Sequence, residues 1–456
     1  MTPYLPLTLL FFGIYVGISV LIGYCSSRKE TEDGFMIADR KIRGIQMMAT
    51  MSAGYFDGVT LSIYIAYVYQ FGLAALALFV GLSGGFLVFR WFAPRIKRLA
   101  DEVNAYSMPE FFFHVLGKKN ALMISLVLLT QYFAYLLVNF ILAGKVLSTL
   151  FPMVPYSLAV AVGGSIILTY LLWAGFKAVV RTDFFQLAVM ICMTLSAAAF
   201  FGPKVTINPG DLSLARMGIG NVVGFLVIAS FSVMVGPDIW QRAFAAKDVA
   251  SLKRGLTYSA LLLPILAVII TVVGFATKQQ VPGIPADNAL ITAFSALLPF
   301  GFMEFMLVLL YAVSLSSSDT ATFVLSSIIT RDLKNYATRF SEESMRKMTR
   351  YIMITSVMVT AGIAMCYKEI VQIAFSMASL NLGLVPVVFA SFFFKLNQTA
   401  VFCTLILVCL SVIALASTFT LDPETSIIPL PTAFVALPAF ELIARAWNRR
   451  KHNAKR

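Results

Sequence analysis

Thirteen stretches of roughly 20 apolar residues recur along this chain, and they limit its fold more than any other feature. They lie approximately at residues 5–27, 45–70, 73–94, 120–150, 156–179, 183–204, 218–240, 256–277, 302–331, 347–367, 370–394, 399–418 and 427–446. Each can cross a hydrocarbon core of about 30 Å as a helix. A soluble domain of this length would need a large core with almost no surface. Composition rules that out: 59% of the 456 residues are hydrophobic and 12% are charged, where soluble domains carry about 25% charged residues. The expected fold class is an all-α integral membrane protein with about 13 transmembrane helices.

The first stretch, LPLTLLFFGIYVGISVLIGY, has no basic segment before it and no small-residue cleavage site after it. It reads as a retained helix rather than a signal peptide. The net charge of +13 needs no nucleic-acid partner, because lysine and arginine collect in the cytoplasmic loops of membrane proteins. With the N-terminus outside, 30 of the 35 basic residues fall in inside segments; only Lys145, Lys204, Arg216, Lys278 and Lys368 fall outside. The C-terminus is then cytoplasmic and the chain is a multi-pass protein of the cell (inner or plasma) membrane. Loops reach about 20 to 25 residues, too short for a separate catalytic unit, and no phosphate-binding glycine motif appears. Cys25, Cys192, Cys366, Cys403 and Cys409 show no ligand spacing and read as small core residues. His114 and His452 lie in a polar loop and the tail, neither placed for catalysis.

Charges inside a bilayer are costly, so intramembrane acids are functional candidates. Asp57, in MSAGYFDGVTLS, is flanked by Gly54 and Gly58. Glycines there favour an unwound helix whose free carbonyls can hold a cation; the alternative is a helix-end carboxylate. Asp183, in WAGFKAVVRTDFFQ, reads as an N-cap of the sixth span, an ion contact, or both. Asp238 pairs at i+4 with Arg242. Asp319 belongs to AVSLSSSDTATF, a hydroxyl-rich run inside an apolar span. At about 100° per residue, Val313, Ser316, Ser317 and Thr320 share one arc of about 100°, with Asp319 beside it; Ser314 and Ser318 point elsewhere. Such oxygens suit a hard cation. Helix–helix packing through small hydroxyl residues is the competing account.

Five stretches, in order, resemble the sodium:solute symporter family. DGFMIADRKIRG is similar to its first inner loop. ATMSAGYFDGVTLSIYIAYVYQFGLA resembles its broken helix, ending Tyr69-x-x-Gly72. WAGFKAVVRTDFFQ, PDIWQRAFAAKD and SSSDTATFVLSSIITRDL resemble three further signatures. The resemblance implies a five-plus-five inverted-repeat, leucine-transporter-like core. Residues 1–44 would hold the first helix and an inner loop, 45–204 one half, 218–394 the other, and 395–456 two further helices and a basic tail. It implies a main sodium site made of the carbonyls of Ala53, Phe56 and Val313 and the hydroxyls of Ser316 and Ser317. It implies a second cation site in some members, here Asp183, Asp319 and Thr320. Asp57, Thr60, Phe79 and Ser232 are the solute-binding candidates. Phe79 and Ser232 stand where sugar transporters carry an acid and an aromatic gate, so a sugar is not expected. Asp57 stands where a small residue is usual, and is assigned to an amine of the solute or to proton coupling.

The resulting expectation is a non-enzymatic secondary transporter that carries a small polar solute with sodium by alternating access. Its partners are the solute and the bilayer, with no nucleic acid and no obligate protein partner. The rivals are proton coupling through Asp57 or Asp319, and a membrane solute-sensing module.

Overall fold

The computed structural model describes residues 4–26, 31–336 and 341–453; among these the chain is helical, with one isolated bridge, Ile42 to Ala246, in place of any strand. It opens with α1 (Leu5–Ser26) and the short α2 (Glu32–Ile37), which Thr31 caps by accepting the Gly34 amide at 2.9 Å. Then come α3 (Gly44–Ala53), α4 (Gly58–Phe71), α5 (Ala77–Glu102), α6 (Met108–Leu116), α7 (Lys118–Leu150) and α8 (Tyr156–Phe201). The next set is α9 (Ile219–Val235), α10 (Pro237–Ala245), α11 (Val249–Gln280), α12 (Ala289–Leu297), α13 (Phe302–Tyr336), α14 (Glu342–Ala364), α15 (Val371–Leu382) and α16 (Val385–Phe393). The last two helices are α17 (Gln398–Thr418) and α18 (Pro429–Asn453).

Two apolar stretches are interrupted. The second stops at Ala53 and restarts at Gly58, because Asp57 is extended (φ −87°, ψ 173°) and its side chain accepts the Thr60 amide at 2.7 Å. That is an N-cap, which commits the backbone to a new helix start. The seventh bends by 45° at Gly236, where Pro237 opens α10; proline fits a first helical turn, since its missing N–H has no partner there. Against both breaks runs α13, uninterrupted and buried, packed chiefly on α7 and α8.

Ten helices among the described residues are long and apolar enough to cross a membrane, or eleven if the bent α9–α10 pair is one span. The count of 13 is not reached by this measure, for two reasons. Residues 58–102 form one run of 45 residues, about 67 Å at 1.5 Å per residue and too long for one crossing. Its turn is Gly72 (φ +77°), where an added Cβ would meet the Asp211 carbonyl oxygen at 2.3 Å. The second shortfall is α14, whose mean hydropathy is diluted by Arg346, Lys347 and Arg350.

Asp211, packed against that turn, is buried and bonds Lys278 at 2.6 Å and Arg216 at 2.8 Å. Burial would raise its carboxyl; the two cations outweigh this and hold it below the usual carboxylate range. A depressed native value stabilises above the ordinary Asp value of about 3.9 and is lost as pH falls below it.

The fifth and sixth stretches also differ from expectation. Their break is at Gly175 (φ 53°, ψ −136°), not near residues 180–182. Lys177 and Arg181 look like loop residues in the sequence. In the structure they are helical, and their charges are met by Asp39 (3.7 Å) and the Cys25 carbonyl (3.2 Å). Asp183 is therefore inside a helix and is no N-cap. Gly175→Ala is expected to destabilise the protein by roughly 1–3 kcal/mol from backbone strain alone, and more because the new Cβ would lie 2.6 Å from the Phe35 carbonyl oxygen. Thermal unfolding in detergent measures this, with Gly13→Ala, which has nothing within 4 Å, as the unaffected control. The five cysteines are free; Cys25, Cys192 and Cys366 are exposed rather than in the core, since the outer face of a membrane bundle meets lipid and tolerates apolar side chains.

Candidate functional site

The two helix breaks face each other. A Cβ added at Gly236 would meet Tyr55 Oη at 2.8 Å, and one at Gly54 would meet Arg242 Nη2 at 3.4 Å. Between them lies a cavity of about 150 Å³. Its apolar walls include Val59, Ile63, Leu78, Phe225 and Phe375; its polar groups are Tyr55, Thr60, Gln131, Tyr132, Tyr135, Ser232, Asp238 and Asn381. No Lys, Arg or His lines it among the described residues. Gln131 Oε1 and Asn381 Oδ1 are buried without a hydrogen-bond partner among the described residues.

Of the four solute-binding candidates, Thr60 and Ser232 line the cavity, while Asp57 and Phe79 do not. Phe79 is fully buried between Phe56 (centroids 5.5 Å apart) and Tyr64 (5.0 Å). Asp57 lies one layer back: Oδ1 caps α4, and Oδ2 accepts the hydroxyl of Tyr135, which does face the cavity. Asp57 is fully buried and forms no ion pair among the described residues.

The main-site candidates are brought to one region. Gly58 touches α13 so closely that an added Cβ would meet Ser314 Oγ at 2.5 Å. The break therefore abuts the hydroxyl-rich run. Among the described residues, neither the Ala53 nor the Phe56 carbonyl accepts a hydrogen bond, as expected where a helix stops and its last carbonyls lose their partners. Val313, Ser316 and Ser317 are buried on the same helix. Ser317 Oγ lies beside the Asp57 carboxylate and has no partner in hydrogen-bond geometry. Ser314 and Ser318, by contrast, donate to their own helix, to Leu310 O (2.9 Å) and Ser314 O (3.1 Å). Ser314 and Ser318, off the arc read from the sequence, are thus satisfied by their own helix, whereas Ser316 and Ser317 on the arc turn toward Asp183 and Asp57 of other segments.

The second-site candidates surround a side chain not assigned to them. Arg242, fully buried, donates to Asp183 Oδ2 at 3.2 Å and Thr320 Oγ1 at 3.3 Å. It also donates to Thr50 Oγ1 and to Asp238 Oδ2, both at 2.8 Å. Thr50 donates in turn to Asp183 Oδ2, and Ser316 Oγ lies 3.4 Å from Asp183 Oδ1. Asp319 is bonded by Tyr170 (2.8 Å), with Thr182 and Thr320 each at 3.4 Å. The i+4 pair of Asp238 and Arg242 is present as expected. Its extension to Asp183, 59 positions away, has no local signal in the sequence, and neither do the cavity groups Gln131, Tyr132, Tyr135 and Asn381, which sit in unbroken apolar stretches.

A sequence profile of the sodium:solute symporter family matches residues 35–407. The chain belongs to this family. A sodium/proline symporter of Staphylococcus aureus (strain Newman) is 24% identical over 385 residues, covering 78% of this chain and 74% of that protein. Among solved structures, a Na+-coupled sialic acid symporter in a substrate-bound outward-open state superposes with a TM-score of 0.82 at 14% identity, over 96% of this chain and 97% of that one. The nucleobase-cation-symport-1 transporter Mhp1, closed with bromovinylhydantoin bound, superposes with a TM-score of 0.60 at 13% identity, over 90% and 95% of the two chains. The fold is thus the leucine-transporter-like one.

Proposed function

We propose that this protein is a secondary transporter that carries a small polar solute together with sodium by alternating access. The observation that carries this reading is the junction of the α3–α4 break with α13. Among the described residues it brings together two carbonyls that accept no hydrogen bond, at Ala53 and Phe56, one buried hydroxyl without a partner in hydrogen-bond geometry, on Ser317, and one buried carboxylate that forms no ion pair, Asp57. A buried charge of this kind needs a counter-charge, and sodium takes oxygen ligands of this type. Ala53, Phe56, Val313, Ser316 and Ser317 would hold the ion, and Asp57 would supply the negative charge beside it. This favours an ion contact for Asp57 over contact with a solute amine, because the carboxylate stands behind Tyr135 rather than on the cavity wall.

The solute would lie in the adjoining cavity, against Thr60, Gln131, Tyr135, Ser232 and Asn381. Among the described residues no basic side chain lines this cavity, but a fixed positive charge, Arg242, stands directly behind its wall, bonded to Asp238 and packed against Gly54. Sodium would tie the broken span to α13 and so bias the balance between outward- and inward-facing states. The halves 45–204 and 218–394 each begin with a broken helix, which supports an inverted repeat with its sites at the breaks. The distribution of basic residues supports an outside N-terminus and a cytoplasmic C-terminus.

The test is uptake into proteoliposomes. An inward sodium gradient at fixed pH should drive accumulation of a solute first identified by thermal shift among small amino acids, amines and carboxylates. Accumulation driven by a pH gradient without sodium would instead establish the proton-coupled rival.

A further inference from the structure

The second cation position implied by the family resemblance does not fit an ion in this chain, because a guanidinium holds it. Arg242 Nη2 is within hydrogen-bond distance of both Asp183 Oδ2 (3.2 Å) and Thr320 Oγ1 (3.3 Å). A hard cation would need these same oxygens at about 2.3–2.6 Å, and so would have to displace the nitrogen. The guanidinium cannot retreat easily. Its Nε and Nη1 are fixed at 2.8 Å by Thr50 and Asp238, and Gly54 packs against Nη2 so closely that an added Cβ would be 3.4 Å away. Nor can it discharge, since arginine stays protonated in proteins. The third member, Asp319, lies beyond its reach and is served by the hydroxyls of Tyr170, Thr182 and Thr320.

We propose that Arg242 is a built-in cation that permanently fills the second position, so that this transporter binds one sodium ion per chain rather than two. The proposal rests on the sodium-coupled reading above. Arg242 does structurally what a second ion would do: it ties Thr50 of α3, Asp183 of α8 and Thr320 of α13 to Asp238 of α10. Being covalently attached, it does so whatever the sodium concentration.

The test is binding of radiolabelled sodium alone to the purified full-length protein, with sites counted at saturation. The expected result is about one ion per chain and a Hill coefficient of about 1. Two ions per chain overturn the proposal while leaving sodium coupling intact. No sodium binding overturns the sodium-coupled reading and the proposal with it. Arg242→Gln removes the charge and should open the second position: binding should rise to about two ions per chain, and the variant should melt markedly higher in sodium than in choline. Arg242→Lys retains a positive charge and should keep about one ion. An unchanged count of one in a folded Arg242→Gln protein would show that Arg242 does not occupy the position, and overturn the assignment. If that variant does not fold in either salt, the wild-type count still decides.

Discussion

Replacing Asp57 with Asn is expected to abolish sodium-driven accumulation while leaving folded protein in the membrane. Asn is nearly isosteric with Asp and is itself a strong N-cap, so it can still accept the Thr60 amide that starts α4. Tyr135 can still hydrogen-bond to an amide. What disappears is the charge. Two unit charges about 4 Å apart interact by about 4 kcal/mol at an effective dielectric of 20, which corresponds to roughly a thousandfold in sodium affinity. Melting temperature and membrane yield should stay close to wild type, while sodium-dependent uptake falls to background. Retention of normal uptake and normal sodium dependence in Asp57→Asn would remove Asp57 from the coupling machinery.

Local signals in the sequence were strong where one helix carries the information. The hydroxyl arc of α13 follows from the helical repeat alone, and the structure sorts Ser317 from Ser314 and Ser318 as that repeat requires. The break before Asp57 was legible for a similar reason: two glycines flank a capping acid. Reading was weaker where polarity stands in for position. Lys177 and Arg181 suggest a loop, yet both are helical, Lys177 paired with Asp39 and Arg181 hydrogen-bonded to the Cys25 carbonyl, so the turn lies at Gly175 and Asp183 lies inside a helix. Reading failed where a site is assembled from distant segments. Arg242 has one visible partner in the sequence, Asp238, and three invisible ones: Thr50, Asp183 and Thr320. The sequence shows the depth of Asp57 in the membrane but not the layering of side chains, and in the structure Tyr135 stands between it and the cavity.

Ser317→Ala should separate ion binding from fold stability, because the two effects differ in size. Ser317 Oγ is buried beside the Asp57 carboxylate and has no partner in hydrogen-bond geometry among the described residues, so it adds little to the stability of the fold. Removing it should leave the sodium-free protein about as stable as wild type. With sodium present, the same hydroxyl would donate its lone pair to the ion, and an interaction with a charged group is worth about 1.5–3 kcal/mol. Its loss should raise the half-saturating sodium concentration roughly ten- to hundredfold. Since a ligand stabilises only the state that binds it, sodium should raise the melting temperature of wild type and do so much less for Ser317→Ala. Ser318→Ala is the matched control: that hydroxyl is already spent on Ser314 O at 3.1 Å, so its sodium dependence should not change. Equal sodium dependence in Ser317→Ala and wild type would detach Ser317 from the ion site, and with it the reading of the α13 arc as a cation ligand set rather than a packing surface.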